Sequence, residues 1–265
     1  MIRIYTFFMS ATIVAVSGSC AKSEFKSGAG TGARKSACVP GTPGCPSGNG
    51  DSQRPLTPTD AENLKPTSCS AEYDISGKSS PYFAGVSDTN KQLEYKFSSG
   101  TKTDRGSVVS PVLVVPSDPA CLVEGTKLSF STSGSLSHGG GTALSNSPDG
   151  KDYTYSHMNG PQFGKSNLTA PADSIVGVFV GPDDPSTSSP PGSLDFSTPN
   201  SRNFTQLAPM LNQIFFIGDG KTSGGEVQLF VVPPGASRLY LAVWDVGEWS
   251  NNIGSMKGSI VHWSP

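Results

Sequence analysis

Residues 238–256, RLYLAVWDVGEWSNNIGSM, decide the fold of this chain. The first six alternate in character along the chain, the period of two that places one face of a β-strand on a core and the other in water. A loop rich in oxygen-bearing side chains follows, and a second strand begins near Ile253. The segment therefore predicts two strands joined by a loop that can bind a ligand.

Short apolar runs of the same kind recur between turn residues throughout residues 69–265. They cover 82–84, 108–115, 128–130, 175–180, 214–217 and 227–232. Residues 204–211 indicate a helical turn, and residues 183–203 have the composition of a loop. With 31 Gly and 22 Pro, short strands and many turns are expected. No amphipathic helix is available to connect parallel strands, so the prediction is an all-β fold, an antiparallel, jelly-roll-like β-sandwich.

The first residues have the order of an export signal. Arg3 precedes the apolar run 4–16, and small residues lead to Cys20, so residues 1–19 are predicted to be a signal peptide. The residues before Cys20 resemble the bacterial lipobox, although Ser17 stands where Leu is usual. This implies an acylated Cys20 and a lipoprotein anchored in the bacterial cell envelope, at the outer membrane or cell surface. The alternative is an ordinary secretory signal that leaves Cys20 free.

Residues 20–68 are dominated by Gly, Ser, Pro, Thr, Lys and Ala, which bury too little surface to fold. This segment is predicted to be a flexible linker to the sandwich.

Five cysteines leave an even set of four once Cys20 is lipidated, as suits an oxidising compartment. Three pairings of the four are possible. Cys38 and Cys45 bracket a Pro/Gly-rich turn, which favours that local bridge together with Cys69–Cys121. A zinc site is disfavoured because no paired CxxC spacing is present.

Charge and motifs argue against two broad function classes. The net charge of −2 and the pI near 5.9 provide no basic field, so nucleic acid is not an expected partner. His138 and three following glycines copy an esterase loop, but the Gly-x-Ser-x-Gly elbow is missing, and no rigid carboxylate pair of a glycosidase is recognisable. We therefore expect no enzyme, with an unrecognised hydrolase as a distant alternative.

The loop after the strand 238–243 carries the ligands that calcium prefers. Asp245, Asn251 and Asn252 supply three side-chain oxygens within one loop, and Glu248 could add another. The competing interpretation is that these are ordinary turn residues, because Asx side chains bond their own backbone and tolerate left-handed geometry.

A wider pattern resembles the PA-I galactophilic lectin family, whose fold is galactose-binding-domain-like. The similar segments are 125–138, 170–181, 215–236 and 245–255, and the likeness spans about 121–261. It implies a calcium ion held by Asp245, Asn251, Asn252 and the backbone carbonyl of His138. In that family the ion binds two sugar hydroxyls, so Asp245 and Asn251 would also contact the sugar. Asn251 lies six residues after Asp245, one fewer than in the galactophilic lectin.

Two further residues are candidates for contact with the sugar. The resemblance suggests His157, which lies in the region of the family's sugar-contacting His. Independently of the resemblance, Trp249 flanks the loop, and an aromatic face of this kind commonly stacks on a sugar ring. The alternatives are a solvent-facing His157 and tryptophans that pack within the sandwich. The leading hypothesis is a calcium-dependent lipoprotein that binds a galactoside-like carbohydrate. The second is a structural or protein-binding sandwich without sugar affinity.

Overall fold

The computed structural model describes residues 64–97, 100–104, 108–114 and 121–264, and this part is built mainly of β-strands. The strands are β1 (Lys65–Pro66), β2 (Ala71–Ser76), β3 (Leu93–Phe97), β4 (Gly100–Asp104), β5 (Val112–Leu113), β6 (Lys127–Ser137), β7 (Thr154–Ser156), β8 (Leu168–Pro171), β9 (Ile175–Val180), β10 (Leu194–Asp195), β11 (Gln206–Leu207), β12 (Ile214–Phe216), β13 (Leu229–Val231), β14 (Arg238–Val243) and β15 (Ile253–Ser264). A helical turn, α1, covers Pro199–Arg202, and 3₁₀ turns cover Pro81–Phe83, Pro185–Thr187 and Trp249–Asn251.

Two sheets form the sandwich. The larger has the order β1-β15-β6-β13-β11 with β2 also paired to β15, and the second has the order β12-β9-β14-β5. Smaller sheets, β10-β8-β7 and the hairpin β3-β4, complete the described part. Most pairings are antiparallel, as predicted, but β10 with β8 and β11 with β13 are parallel.

Aromatic side chains join the two main sheets. Phe130 on β6 and Phe230 on β13 pack edge to face at 5.1 Å, and Phe215 on β12 of the other sheet lies 5.5 Å from Phe230. Every residue of β9 is buried, which is the pattern of a central strand covered on both faces. The all-β sandwich predicted from the sequence is confirmed.

Three details of the strand prediction are wrong. Residues 82–84 are not a strand, because Pro81 opens a 3₁₀ turn and cannot donate a backbone hydrogen bond. The helical turn lies before 204–211, at α1, where the hydroxyl of Thr198 caps the backbone N–H of Ser201. The loop 183–203 contains β10 as well as α1.

The strand register brings the ends of four strands together at one end of the sandwich. Val243 at the end of β14 pairs with Ile175 at the start of β9, and Ile253 at the start of β15 pairs with Ser137 at the end of β6. The loop between β14 and β15, the residues after β6 and the turn before β9 therefore meet at this end.

One disulfide is present in the described part, between Cys69 and Cys121, with Cα atoms 5.5 Å apart. This confirms one of the favoured pairs. The predicted signal peptide, the lipidated Cys20, the linker up to residue 63 and the Cys38–Cys45 bridge lie outside the described residues. Among the described residues, no helix has the length and hydrophobicity needed to span a bilayer.

Candidate functional site

The loop between β14 and β15 is held by two buried tryptophans. Trp244 Nε1 donates to the backbone oxygen of Tyr155 at 3.0 Å, and Trp249 Nε1 donates to that of Val243 at 2.8 Å. Trp249 opens the 3₁₀ turn that ends at Asn251. The polar side chains of this loop are therefore carried on a backbone that is anchored from both ends.

Asp245 lies at the centre of the loop and is 4% exposed. Its Oδ1 accepts from the backbone N–H of Val246 at 2.5 Å, and its Oδ2 accepts from Asn252 Nδ2 at 2.8 Å. Asn252 Nδ2 also donates to the Gly77 carbonyl at 3.0 Å. The structure thus brings together Asp245 and Asn252, two of the predicted ligands.

Asn251 and His138 form a second part of the site. Asn251 Oδ1 accepts from the backbone N–H of Gly139 at 3.0 Å, and the Asn251 carbonyl accepts from Gly140 at 3.2 Å. The His138 carbonyl accepts from Gly141 at 3.3 Å, which leaves it one lone pair. The loop after β6 is therefore tied directly to the loop before β15, as a shared ion would require.

Asp173 belongs to the same cluster, and the sequence reasoning assigned it no role. It is fully buried, and it has a positive φ of 66° in the turn between β8 and β9. Its backbone N–H donates to the Trp244 carbonyl at 2.9 Å, which places it beside Asp245. Its Oδ2 accepts from His138 Nδ1 at 2.8 Å and from Asn146 Nδ2 at 2.5 Å. An Asp two residues before a wholly apolar strand was the available signal.

Two acceptor oxygens of this cluster are buried and have no hydrogen-bond partner among the described residues. They are Asp173 Oδ1 and Asn252 Oδ1. A buried oxygen of this kind is costly unless a donor or a cation meets it. The cluster therefore contains acceptor capacity that the described protein groups do not use.

The electrostatics of the cluster favour an added positive charge. Burial raises the pKa of Asp245 to about 6, and the nearby Asp173 charge adds to this, whereas the Asn252 hydrogen bond and His138 oppose it. The hydrogen bond to Asp173 raises the pKa of His138. Two buried carboxyl groups thus lie near one imidazole, that of His138, which is hydrogen-bonded to Asp173.

Glu248 is not joined to this cluster. It precedes the 3₁₀ turn at Trp249–Asn251 and makes no capping hydrogen bond there. None of the hydrogen bonds or ion pairs of the described residues involves the Glu248 carboxylate. The structure gives no support to Glu248 as a ligand.

The assignment of sugar contacts to His157 and Trp249 is corrected by their burial. Trp249 is fully buried and His157 is 3% exposed. The His157 ring lies 4.8 Å from that of Tyr82 and 5.7 Å from that of Trp249. Burial lowers the pKa of His157 to about 4. Neither ring has a face available to a ligand, so both support the loop from inside.

Exposed aromatic rings nevertheless lie next to the cluster, on Tyr153 and Tyr155. Tyr153 is 40% exposed and Tyr155 is 42% exposed. The Tyr153 hydroxyl is 3.0 Å from His138 Nε2, and the two tyrosine rings are 5.1 Å apart. The sequence reasoning gave neither tyrosine a role; Tyr155 lies on β7 and Tyr153 directly before it.

In the described ranges, no three His, Cys, Asp or Glu side chains are grouped so that they could hold a metal ion. The oxygens brought together here come from two carboxyl groups, side-chain amides and backbone carbonyls. The chain matches no family model, no curated protein and no solved structure.

Proposed function

We propose that this protein binds carbohydrate through a calcium ion held at the end of the sandwich where β14 and β15 meet. The observation that carries the proposal is the pair of buried, unpartnered oxygens, Asp173 Oδ1 and Asn252 Oδ1, within a cluster that also contains the buried carboxylate of Asp245. A divalent cation would bind both oxygens and compensate both carboxylates.

Calcium fits this donor set better than a transition metal. Asp245, Asp173, Asn252, Asn251 and the His138 carbonyl all offer oxygen, the ligand atom of hard cations. No cysteine is among the donors, and the His138 imidazole nitrogens already face Asp173 and Tyr153. Six to eight oxygens satisfy calcium, so protein ligands alone leave coordination positions for ligand hydroxyls.

Carbohydrate is the ligand class that such open positions favour here. Calcium can bind two neighbouring hydroxyls of a sugar, and the PA-I galactophilic lectin family, which the sequence resembles, uses its ion in this way. Support for this comes from the loop between β14 and β15, where the Asp245 carboxylate accepts a hydrogen bond from Asn252 Nδ2. Galactosides are the first sugars to test.

The test of the cation site is calorimetric titration of the full chain with calcium. Wild-type protein is expected to bind calcium, and both Asp245→Ala and Asp173→Asn should weaken binding at least about tenfold. Asp74→Asn is the matched control, because Asp74 is a surface carboxylate paired with Lys257 on the outside of the larger sheet. Equal affinity in all three variants, or no calcium binding by the wild type, would refute the site.

The test of the sugar is a glycan array read in calcium and again in chelator. Glycan signals that disappear with chelator and with Asp245→Ala support a lectin. Calcium binding without any glycan signal would favour the second candidate, a structural or protein-binding sandwich. The hydrogen bonds that already link His138 to Asp173, and Asn252 to Asp245, favour that alternative, since they hold the loops together without a ligand.

We also propose that the protein is displayed on a bacterial membrane through lipid on Cys20. The support is the order of the first residues, a basic residue, an apolar run and small residues before a cysteine. Mass spectrometry of the mature N-terminus should find an acylated Cys20. An unmodified N-terminus, or Cys20→Ser protein that stays in the membrane fraction, would contradict lipid anchoring.

A further inference from the structure

Tyr153 and Tyr155 form an exposed pair of rings, here called the tyrosine platform. Their ring planes are inclined by 63°, and each residue leaves about two fifths of its surface to solvent. Lys151 Nζ lies 5.2 Å from the Tyr153 ring centroid, the geometry of an exposed cation–π contact. The platform is thus an exposed surface that is open to a ligand, and the Lys151 side chain lies over one face of the Tyr153 ring.

The platform is held in a fixed position relative to the cation cluster. The Tyr153 carbonyl accepts from the backbone N–H of Ala172 at 3.3 Å, so Tyr153 lies opposite the residue that precedes Asp173. The Tyr153 hydroxyl meets His138 Nε2, and the Tyr155 carbonyl accepts from Trp244 Nε1. Each tyrosine therefore contacts a residue of the cluster or the residue next to one.

We propose that the tyrosine platform is the subsite that stacks on the sugar, in place of Trp249. The proposal rests on the calcium-dependent carbohydrate binding proposed above. Tyrosine combines a flat apolar face with a polar tip, which suits a pyranose that has an apolar C–H face and hydroxyls at its rim. The ligand class is then a pyranose whose vicinal hydroxyls reach the cation while one ring face lies on Tyr153 or Tyr155.

This geometry separates the two contributions to binding. The oxygens of Asp245, Asp173 and Asn252 hold the cation, whereas the tyrosines supply no ligand to it, and only the Tyr153 side chain contacts the cluster, through its hydroxyl and His138. Loss of the Tyr155 ring should therefore weaken sugar binding and leave calcium binding intact. Loss of a carboxylate should weaken both.

The experiment compares full-chain variants by calorimetry with calcium alone, then with the best glycan of the array in saturating calcium. Tyr155→Ala should bind calcium like the wild type and bind the sugar at least about fivefold more weakly, and Tyr153→Ala should weaken sugar binding more than calcium binding. Tyr153→Phe keeps the ring and removes the contact with His138, so its sugar affinity should stay within about threefold of the wild-type value. Leu113→Ala, which truncates an exposed apolar side chain on β5, is the control.

The outcomes distinguish the two proposals. Wild-type sugar binding that neither tyrosine truncation weakens would overturn the platform and leave the lectin proposal standing. Wild-type calcium binding without sugar binding would overturn both the lectin and the platform. Tyrosine truncations that weaken calcium and sugar equally would show that the rings act only by supporting the fold, and this too would overturn the platform.

Discussion

Replacing Asp245 by asparagine should change how the stability of the metal-free protein depends on pH. Burial raises the pKa of Asp245 to about 6 in the folded protein, against 3.8 for an ordinary Asp. Between these values the native state holds a proton that the unfolded chain has released. The wild type therefore loses stability as pH rises from about 4 to 6, and asparagine, which does not titrate, removes this loss.

The magnitude follows from the size of the pKa difference. About two pKa units at about 1.4 kcal/mol each give about 3 kcal/mol as the full effect. The free energy of unfolding of Asp245→Asn, minus that of the wild type, should therefore increase by up to about 3 kcal/mol between pH 4 and pH 7. The hydrogen bonds that the substitution changes add a constant offset, so the slope with pH is the quantity to read.

The assay is urea unfolding in chelator at several pH values between 4 and 7.5. His157 titrates in both proteins and cancels in the difference, whereas His138 adds to the difference in the same direction, because the Asp245 charge is one of the causes that raise its pKa. Calcium should reduce the variant's advantage at pH 7, because it stabilises the wild type, by about 2.7 kcal/mol at a hundredfold excess over its dissociation constant, and the variant less. A difference that stays flat with pH would refute a buried, uncompensated Asp245.

Three further predictions concern the scaffold. Replacing both Cys69 and Cys121 by alanine should lower the free energy of unfolding by about 4 kcal/mol, since the bridge spans 52 residues, and chemical denaturation of reduced wild type provides the comparison. Trp249→Ala should cost about 3–5 kcal/mol in the same assay, as expected of a buried ring, and a cost below about 1 kcal/mol would contradict its burial. Lys165 is fully buried, with one hydrogen bond to the Phe163 carbonyl, and burial lowers its pKa to about 7. Wild-type protein should therefore gain stability as pH rises from 7 to 10, and Lys165→Met should not.

The strands that the sequence predicted best are those whose pattern is local. Residues 175–180 and 238–243 are apolar or alternating over six residues, and both became strands with nearly these bounds. Periodicity could not identify β10 or β11, because two-residue strands carry no period. Residues 82–84 were misassigned because three apolar residues fit a strand and a turn equally well. Pro81 opens a 3₁₀ turn at this position.

Only the part of the site that a single loop contributes could be predicted from the sequence. Asp245, Asn251 and Asn252 share that loop, and the contact between Asp245 and Asn252 followed from their spacing. Asp173 comes from a different turn, and only the pairing of β9 with β14 brings it beside Trp244. The exposure of the aromatic residues was not readable either, because the direction of Trp249 depends on Tyr82, which lies far away in the sequence and 6.0 Å away in space.

Burial excludes Trp249 and His157 as sugar contacts, but it strengthens the proposal that the loop binds a cation. A loop that carries a metal ligand must be rigid before the ion arrives, or ordering the loop weakens binding. Trp249 fastens the loop to the end of β14, and its ring packs among Tyr82, His157 and Trp244. The same Trp244 donates to Tyr155, so one aromatic cluster positions both the carboxylates and the exposed tyrosines. A core arranged in this way gives the ion and the sugar a shared support, and damage to it should weaken both together.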